Sequence, residues 1–226
     1  GGRLVLRRGD PRLVLPEIAA STGATGLYFN RRYDREGSGI DETVEAELRR
    51  QGVAVSGHAS WLLFEPGTIR TKTGGSFRVF TPFWKAHRPH LAPTSALRDR
   101  PDAVSFFGGA VASEPLASLG LHPTRPDWSG GLATSWAPGE AGARARLVAF
   151  LDGGLSRYDA ERDFPAADAS SRLSPHLRFG EVAVARVAHE ILEAQGAGSV
   201  PVEASEKFLA EIGWREFAWH LLAAFP

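Results

Sequence analysis

The hydrophobic pattern near the start of the chain most constrains the fold, because strand-like and helix-like segments alternate there. The apolar segments Arg3 to Arg8 and Thr25 to Asn30 predict two short buried strands. Between them, Asp10 followed by Pro11 predicts a helix start, since Asp is a good N-cap and Pro suits the first helical position. Gly23 predicts the end of that helix. The result is a strand, helix, strand unit.

A second helix and a third strand follow in the same order. Val44 and Leu48 would share one face of a helix from Asp41 to Gln51. The segment Val53 to Ser56 then predicts another strand. Alternation of this kind is typical of an α/β domain with a parallel sheet and crossover helices. Two or three strands make only a partial sheet, because its edges are left unpaired.

The rest of the chain divides into a proline-rich segment and a helical segment. Seven prolines fall between residues 88 and 138, which predicts an interdomain linker. Apolar side chains then recur at helix spacing, and a last helix is predicted over about Glu203 to Phe225, with Leu209, Ile212, Leu221 and Leu222 toward the core. The predicted organisation is therefore an α/β domain over 1–87, a linker over 88–138 and a helical domain over 139–226. The other apolar positions at helix spacing are Ala143, Leu147, Phe150, Leu151, Val184, Val187, Ala188, Ile191 and Leu192.

Composition excludes several classes of protein. The chain has no Cys, so disulfides, thiolate metal sites and a cysteine nucleophile are excluded. Its seven His show no metal-ligand spacing, and no Gly-rich phosphate loop is present. No apolar run reaches the roughly 20 residues of a membrane helix, and the first residues lack the apolar core of a signal peptide, so a cytoplasmic protein is expected. The chain also has no Met, which indicates that the gene starts upstream or that a leader is removed.

Charge is balanced overall but unevenly spread. Residues 1–100 carry 16 basic and 10 acidic side chains, residues 101–138 carry 1 and 3, and residues 139–226 carry 9 and 13. The three net charges are therefore +6, −2 and −4. Since phosphate neutralisation dominates affinity for DNA, the last segment is a poor nucleic-acid binder by itself.

Hydroxyl groups cluster where a short helix is predicted to begin. Ser170 and Ser171 precede Ser174, which together with Pro175 predicts an N-cap and a first-turn proline. Hydroxyls and free backbone N–H groups at a helix start can hold an anion. A plain helix cap with two solvated serines is the more frequent outcome of such spacing, so both interpretations stay open.

A stripe of mixed character is predicted on the last helix. Glu211, Trp214, Arg215 and Ala218 are three or four residues apart, so they would share one face. Glu211 four residues before Arg215 also suits an ordinary surface ion pair, which contributes only about 0.3–0.5 kcal/mol. Spacing alone favours the surface pair.

Five sequence motifs carry a resemblance to a known family. The chain resembles the photolyase/cryptochrome family, and the resemblance implies a partial parallel-sheet, Rossmann-like antenna domain followed by the first part of an all-α, flavin-binding domain. Because the motifs fall in the family's order, the resemblance covers nearly the whole chain. The motifs are FRVFTPFWKAH (77–87), SWAPGE (135–140), YDAERDFPA (158–166), SRLSPHLRFG (171–180) and IGWREFAWHLL (212–222).

The resemblance also implies which residues bind ligands. Glu211 and Trp214 would contact a damaged base in DNA, the first by a hydrogen bond and the second by stacking. A second, antenna chromophore of folate or deazaflavin type is implied as well. Asn30, Tyr33 and Asp34 match a family element near the antenna, but they also suit a turn, and no antenna residue is assigned. The residues that would bind FAD are Tyr158, Ser170, Ser171, Leu173, Ser174, Phe208, Glu211 and Arg215.

The function implied by the resemblance is light-driven repair of cyclobutane pyrimidine dimers by electron transfer from reduced FAD, as in a deoxyribodipyrimidine photolyase. No catalytic residue or metal is expected within this chain, because the flavin supplies the chemistry. Measured against the family, the chain is expected to begin after the first strand, helix and strand and to stop soon after the WREF helix, so that it would not retain stoichiometric flavin alone. A cryptochrome-type photoreceptor and a truncated remnant without function are the alternatives.

Overall fold

The computed structural model describes residues 2–59, 61–91 and 101–226, and these form two compact units. The first unit contains the described residues up to His58 and from 101 to 135. The second contains those from Ala59 to Leu91 and from 136 to 226. The units do not coincide with the predicted domain limits, because residues 61–91 associate with the helical part of the chain.

The first unit contains a strand pair flanked by two helices. The strands are parallel, with Gly26 opposite Ala54, which confirms the partial parallel sheet. Its small core is formed by Ala19, Val44, Leu48 and Val53. The elements are α1 (Pro11–Thr22), β1 (Gly26–Asn30), α2 (Arg35–Arg50) and β2 (Ala54–His58).

Side-chain caps set the helix starts in this unit. The Asp10 carboxylate accepts a hydrogen bond of 2.9 Å from the Arg12 N–H, so α1 begins at Pro11 as predicted. Gly23 ends α1 with a left-handed φ of 65°. Helix α2 starts six residues before the predicted Asp41, because the Asp34 carboxylate caps it by accepting from the Gly37 N–H at 2.6 Å.

The prediction of a strand at Arg3 to Arg8 is wrong. The Leu6 carbonyl accepts from the Glu114 N–H at 2.8 Å, but the Leu6 N–H donates to the Ser113 hydroxyl at 3.0 Å. The Arg8 N–H donates to the Glu114 carboxylate. Because side chains replace backbone partners, no ladder forms and the segment stays irregular.

The predicted linker contains little regular structure where it is described. It has single 3₁₀ turns at Arg88–His90 and Leu116–Leu119 and one short helix, α4 (Gly130–Ser135). Residues 92–100 of this prediction lie outside the described residues. The frequency of proline explains the scarcity of helix, because proline lacks an N–H and disfavours helical angles for the residue before it.

The second unit is helical and packs around one long helix. A π turn at Phe150–Gly154 joins α5 to α6, and α9 contacts α3, α6 and α8. Every predicted core position of α5 and α8 is buried or packed against this core. In the described ranges, no helix has the length and apolar character needed to cross a membrane. The helices are α3 (Phe80–His87), α5 (Glu140–Ala149), α6 (Leu155–Glu161), α7 (Ser174–Phe179), α8 (Val184–Gly196) and α9 (Val202–Ala224).

The core face of α9 agrees with the prediction at Leu209 and Ile212 but not at Leu222. Leu209 and Ile212 are buried, whereas Leu222 is 41% exposed. At about 100° per residue, Leu222 lies about 140° around the helix from the fully buried Leu209, so it leaves the core face. The core of this unit therefore ends before the last turn of α9.

Truncation of a core leucine tests this packing. Leu209→Ala is expected to lower the free energy of unfolding by about 2–5 kcal/mol, because the side chain is fully buried and would leave a cavity. Leu222→Ala is the matched control on the same helix and is expected to cost less than about 1 kcal/mol. Urea denaturation followed by circular dichroism measures both. Equal losses for the two variants would contradict the assigned core.

Candidate functional site

The residues assigned to cofactor and DNA lie on three parts of the helical unit: α6, the loop before α7 together with the first residue of α7, and α9. Leu173 from the loop, Tyr158 from α6 and Phe208 from α9 belong to one buried cluster. The site is therefore supported by the main core of this unit rather than by a mobile surface segment.

Aromatic side chains join α6 to α9. The Tyr158 ring packs edge-on against Phe208, with ring centroids 5.2 Å apart, and against Phe150 at 5.8 Å. The Phe150 and Phe208 rings are themselves 4.7 Å apart. Burial raises the pKa of Tyr158, so its hydroxyl keeps its proton and remains a hydrogen-bond donor at neutral pH.

Glu211 is held by α6 rather than by its own helix. Its carboxylate forms an ion pair with Arg162, the residue that follows α6. The same guanidinium carbon lies 5.7 Å from the centre of the Tyr158 ring. The surface pair between Glu211 and Arg215, which spacing alone favoured, is replaced by this contact between helices. Arg162 is a residue that the sequence analysis missed.

Arg215 turns toward the segment that precedes α3. Its Nη1 donates to the Trp61 carbonyl at 2.7 Å and contacts the Glu216 carboxylate at 3.1 Å. Burial lowers the pKa of Arg215, and the Glu216 carboxylate opposes that shift. The structure therefore brings Glu211 together with Tyr158 and Phe208, but it does not pair Glu211 with Arg215.

Glu216 is the most deeply buried acidic side chain in the described core, and the sequence analysis missed it. Its carboxylate accepts from the backbone N–H groups of Leu63, at 2.7 Å, and Phe64, at 3.3 Å, besides its contact with Arg215. One turn later, His220 Nε2 lies 3.0 Å from the Phe64 carbonyl oxygen. Burial raises the pKa of Glu216 to about 7. The signal available in the sequence was that Glu216 is an acidic residue placed between Arg215 and an apolar helix face.

The serine loop differs from its prediction in one respect. Ser174 is the first residue of the six-residue helix α7 rather than its N-cap, and no side chain caps this helix. Leu173 occupies the cap position, where its carbonyl accepts from the Leu177 N–H at 2.8 Å and its side chain is buried. Ser171 Oγ accepts from the Leu173 N–H at 3.3 Å, while the Ser170 carbonyl accepts from Arg146 at 3.3 Å. The side chains of Ser170 and Ser174 are exposed.

Trp214 is held on the outer side of α9. Its ring stacks on Phe80 of α3, with centroids 3.8 Å apart and planes 10° apart. Phe217 packs edge-on against it at 5.9 Å. Trp214 nevertheless remains 49% exposed. An ordered, half-exposed indole is suited to stacking on a further planar group.

Side chains that could ligate a metal do not cluster in the part of the chain that the structure describes. His, Asp and Glu form no group of three or more there that could hold a metal ion.

The buried carboxyl of Glu216 gives a pH-dependent prediction. Its pKa of about 7 lies above the value of about 4.3 for an unfolded chain, so between these values the folded protein keeps a proton that the unfolded chain has lost. The contribution of Glu216 to stability therefore falls as pH rises through that interval, by at most about 1.4 kcal/mol per pH unit. Glu216→Gln is expected to remove this fall.

The measurement is the difference in unfolding free energy between the unmodified protein and Glu216→Gln at pH 5, 6, 7 and 8. His220 and His87 act in the opposite direction, since burial lowers the pKa of each, but both remain in the variant and cancel in the difference. Arg215 keeps its charge in both proteins. Glu203→Gln, an exposed carboxylate on the same helix, is the control. A difference that does not change with pH would contradict the assignment.

Comparison with known proteins places these features in a family. A protein-family model described as DNA photolyase matches residues 1–102. A deoxyribodipyrimidine photo-lyase from Agrobacterium fabrum is 41% identical over 228 residues, covering all of this chain and 47% of that protein. Cryptochrome-1 from Arabidopsis thaliana is 29% identical, covering all of this chain and 34% of that protein. The chain thus spans about half the length, or less, of these curated relatives.

A solved structure agrees with the sequence relatives. The crystal structure of a bacterial class III photolyase from Agrobacterium tumefaciens matches with a TM-score of 0.93 and 40% identity, covering all of this chain and 46% of that one. The similarity therefore includes both compact units, the serine loop and α9. From its sequence relatives and its fold, the chain belongs to the DNA photolyase/cryptochrome family.

Proposed function

We propose that this protein repairs cyclobutane pyrimidine dimers in DNA, using light absorbed by a reduced FAD. The observation that carries the proposal is the arrangement on α9, where Glu211 is fixed by Arg162 and the half-exposed Trp214 follows it by one turn. This arrangement occurs in a chain that matches a class III photolyase over all of its residues and over 46% of the photolyase. The named activity of the relatives supports the same function.

The residues present fit a flavin with a pyrophosphate. Ser170 and Ser174 have exposed hydroxyls that no helix cap uses, and Ser171 lies between them. Arg146, which holds the Ser170 carbonyl, has a buried Nε without a hydrogen-bond partner among the described residues. Cationic and hydroxyl donors of this kind are suited to phosphate oxygens. We assign the phosphate-binding role to these three serines and to the Tyr158 hydroxyl.

The remaining cofactor residues would bind the apolar and ring parts of FAD. Leu173 and Phe208 supply buried apolar surface, and Glu211 with Arg215 supplies charged groups on α9. When bound and reduced, the flavin supplies an electron after light absorption. The task of the protein is then to bind the flavin, to orient it and to exclude water. This is the usual division of work between protein and cofactor in cofactor enzymes.

The DNA contacts are assigned to Glu211 and Trp214. A flavin inside a protein cannot reach a base within the duplex, and photolyases are among the enzymes that extrude their target from the helix. Stacking of an extruded base on an aromatic side chain contributes about 1–3 kcal/mol. Trp214 offers such a surface, and the Glu211 carboxylate offers a hydrogen-bond acceptor one turn away.

Photolyase/cryptochrome proteins generally carry flavin and an antenna chromophore. In this chain Asp34 caps α2 and Asn30 ends β1, so both have structural roles and neither is assigned to an antenna.

A cryptochrome-type photoreceptor is the second candidate function. The match with Cryptochrome-1 extends over the whole chain, and such a protein would share the flavin residues assigned above. Repair activity distinguishes the two functions.

The serine assignment predicts weaker flavin binding in a double variant. Ser171→Ala with Ser174→Ala is expected to raise the dissociation constant for FAD about tenfold, because two hydrogen bonds to charged oxygens are lost. The change is measured by titrating the gene product into FAD and following the fluorescence of the flavin. Ser199→Ala, an exposed serine elsewhere in the helical unit, is the control. Unchanged affinity in the double variant would remove the serines from the site.

The repair function is tested on an oligonucleotide with a single thymine dimer. The protein expressed from its gene, loaded with reduced FAD, is expected to restore two thymines under near-ultraviolet or blue light and none in the dark. Chromatography of the oligonucleotide measures the product. Light-induced changes in the flavin spectrum without repair would favour the photoreceptor and contradict the photolyase.

A further inference from the structure

Three aromatic rings lie nearly parallel where α3 meets α9. Phe80 and Trp84, one turn apart on α3, have planes 10° apart and centroids 6.3 Å apart. Phe80 also stacks against Trp214 of α9, with ring centroids 3.8 Å apart and planes again 10° apart. The Phe80 ring is therefore nearly parallel to both tryptophan rings, and Trp214 is the half-exposed one of its two tryptophan neighbours.

Gly213 fixes the approach of the two helices. A Cβ built on Gly213 would lie 2.5 Å from the Trp84 ring, closer than any real contact of this kind. Trp84 therefore packs directly on the α9 backbone at the residue before Trp214. Since only glycine permits this approach, the position of Phe80 beside the Trp214 ring follows from the register between α3 and α9.

The contact leaves Trp214 ordered but accessible. Phe80 covers one face of the indole, and Phe217 meets it edge-on, so the ring has little freedom to rotate about its side-chain bonds. At 49% exposure, about half of the surface of this residue still faces solvent. A ring that is ordered before binding avoids the loss of side-chain entropy that a flexible one would suffer on binding.

We propose that Phe80 is a positioning residue for the DNA lesion: it holds the Trp214 ring so that the exposed face can stack on an extruded base. Phe80 touches Trp214 rather than the lesion, and the neighbouring Trp84 ring packs on Gly213 of α9. This inference rests on the proposed function, because it concerns the same Trp214 contact.

The test is a double-mutant cycle on affinity for an oligonucleotide with one thymine dimer, compared with the undamaged oligonucleotide. The protein expressed from its gene carries Phe80→Leu, Trp214→Ala or both. Phe80→Leu is expected to weaken dimer-specific binding about fivefold, since an aromatic pair contributes at this level. In the Trp214→Ala background the same change is expected to have no effect, because the ring it positions is gone.

Two further variants separate positioning from packing. Phe80→Tyr keeps a ring beside Trp214 and is expected to restore affinity to within about twofold. Phe107→Leu, the same change at an exposed phenylalanine of the other unit, is expected to leave affinity unchanged. Circular dichroism confirms that each variant folds.

The outcomes are distinct. In the first outcome, the unmodified protein prefers the dimer and Trp214→Ala weakens that preference. If Phe80→Leu then has no effect, or has the same effect in both backgrounds, the role of Phe80 is overturned and the proposed function stands. If Trp214→Ala has no effect, the Phe80 proposal also falls. If the unmodified protein shows no preference for the dimer, the proposed function and this inference fail together.

Discussion

The buried carboxylate of Glu216 is the constraint on which the candidate site depends. A carboxyl group removed from water is costly unless hydrogen bonds replace its hydration. Here the backbone N–H groups of Leu63 and Phe64 and the guanidinium of Arg215 supply those bonds. Because an α-helix turns about 100° per residue, fixing Glu216 inward also fixes where its neighbours point. Trp214, two residues earlier, is then on the outer side of α9.

Helix α9 joins parts of the chain that are far apart in sequence. Glu216 reaches Leu63 across 153 positions, whereas Glu211 reaches Arg162 across 49. Gly213 accepts the Trp84 ring from α3 between these two contacts. The α9 side chains assigned to cofactor and DNA thus have their directions set by three separate partners.

Local patterns in the sequence predicted the elements whose causes are local. The helix over α8 has apolar residues at helix spacing, and the parallel pairing of β1 with β2 follows from alternation of strand and helix. The strand predicted at Arg3 to Arg8 failed because its partners are side chains of Ser113 and Glu114, which no local pattern indicates. Ser174 failed as a cap because Leu173 is anchored in the core and takes the cap position itself.

The candidate site shows the same division. Expectations from the family resemblance named Tyr158, Phe208 and Glu211, and the structure brings these together. They did not name Arg162, whose role as the partner of Glu211 depends on how α6 packs on α9. Spacing alone favoured an ion pair between Glu211 and Arg215, which tertiary contacts replaced. Spacing on a single helix identifies possible partners, but packing between helices selects among them.

Order, rather than exposure, distinguishes Trp214 as a binding surface. Phe106, Trp128 and Phe179 are all more exposed, and isolated exposed apolar side chains are common on protein surfaces. Trp214 differs because a parallel ring lies 3.8 Å from one face while half of its surface remains in solvent. Holding a large ring in this way leaves apolar area hydrated that a planar ligand could cover. The packing of α3 on α9 therefore prepares one face of the indole for a partner.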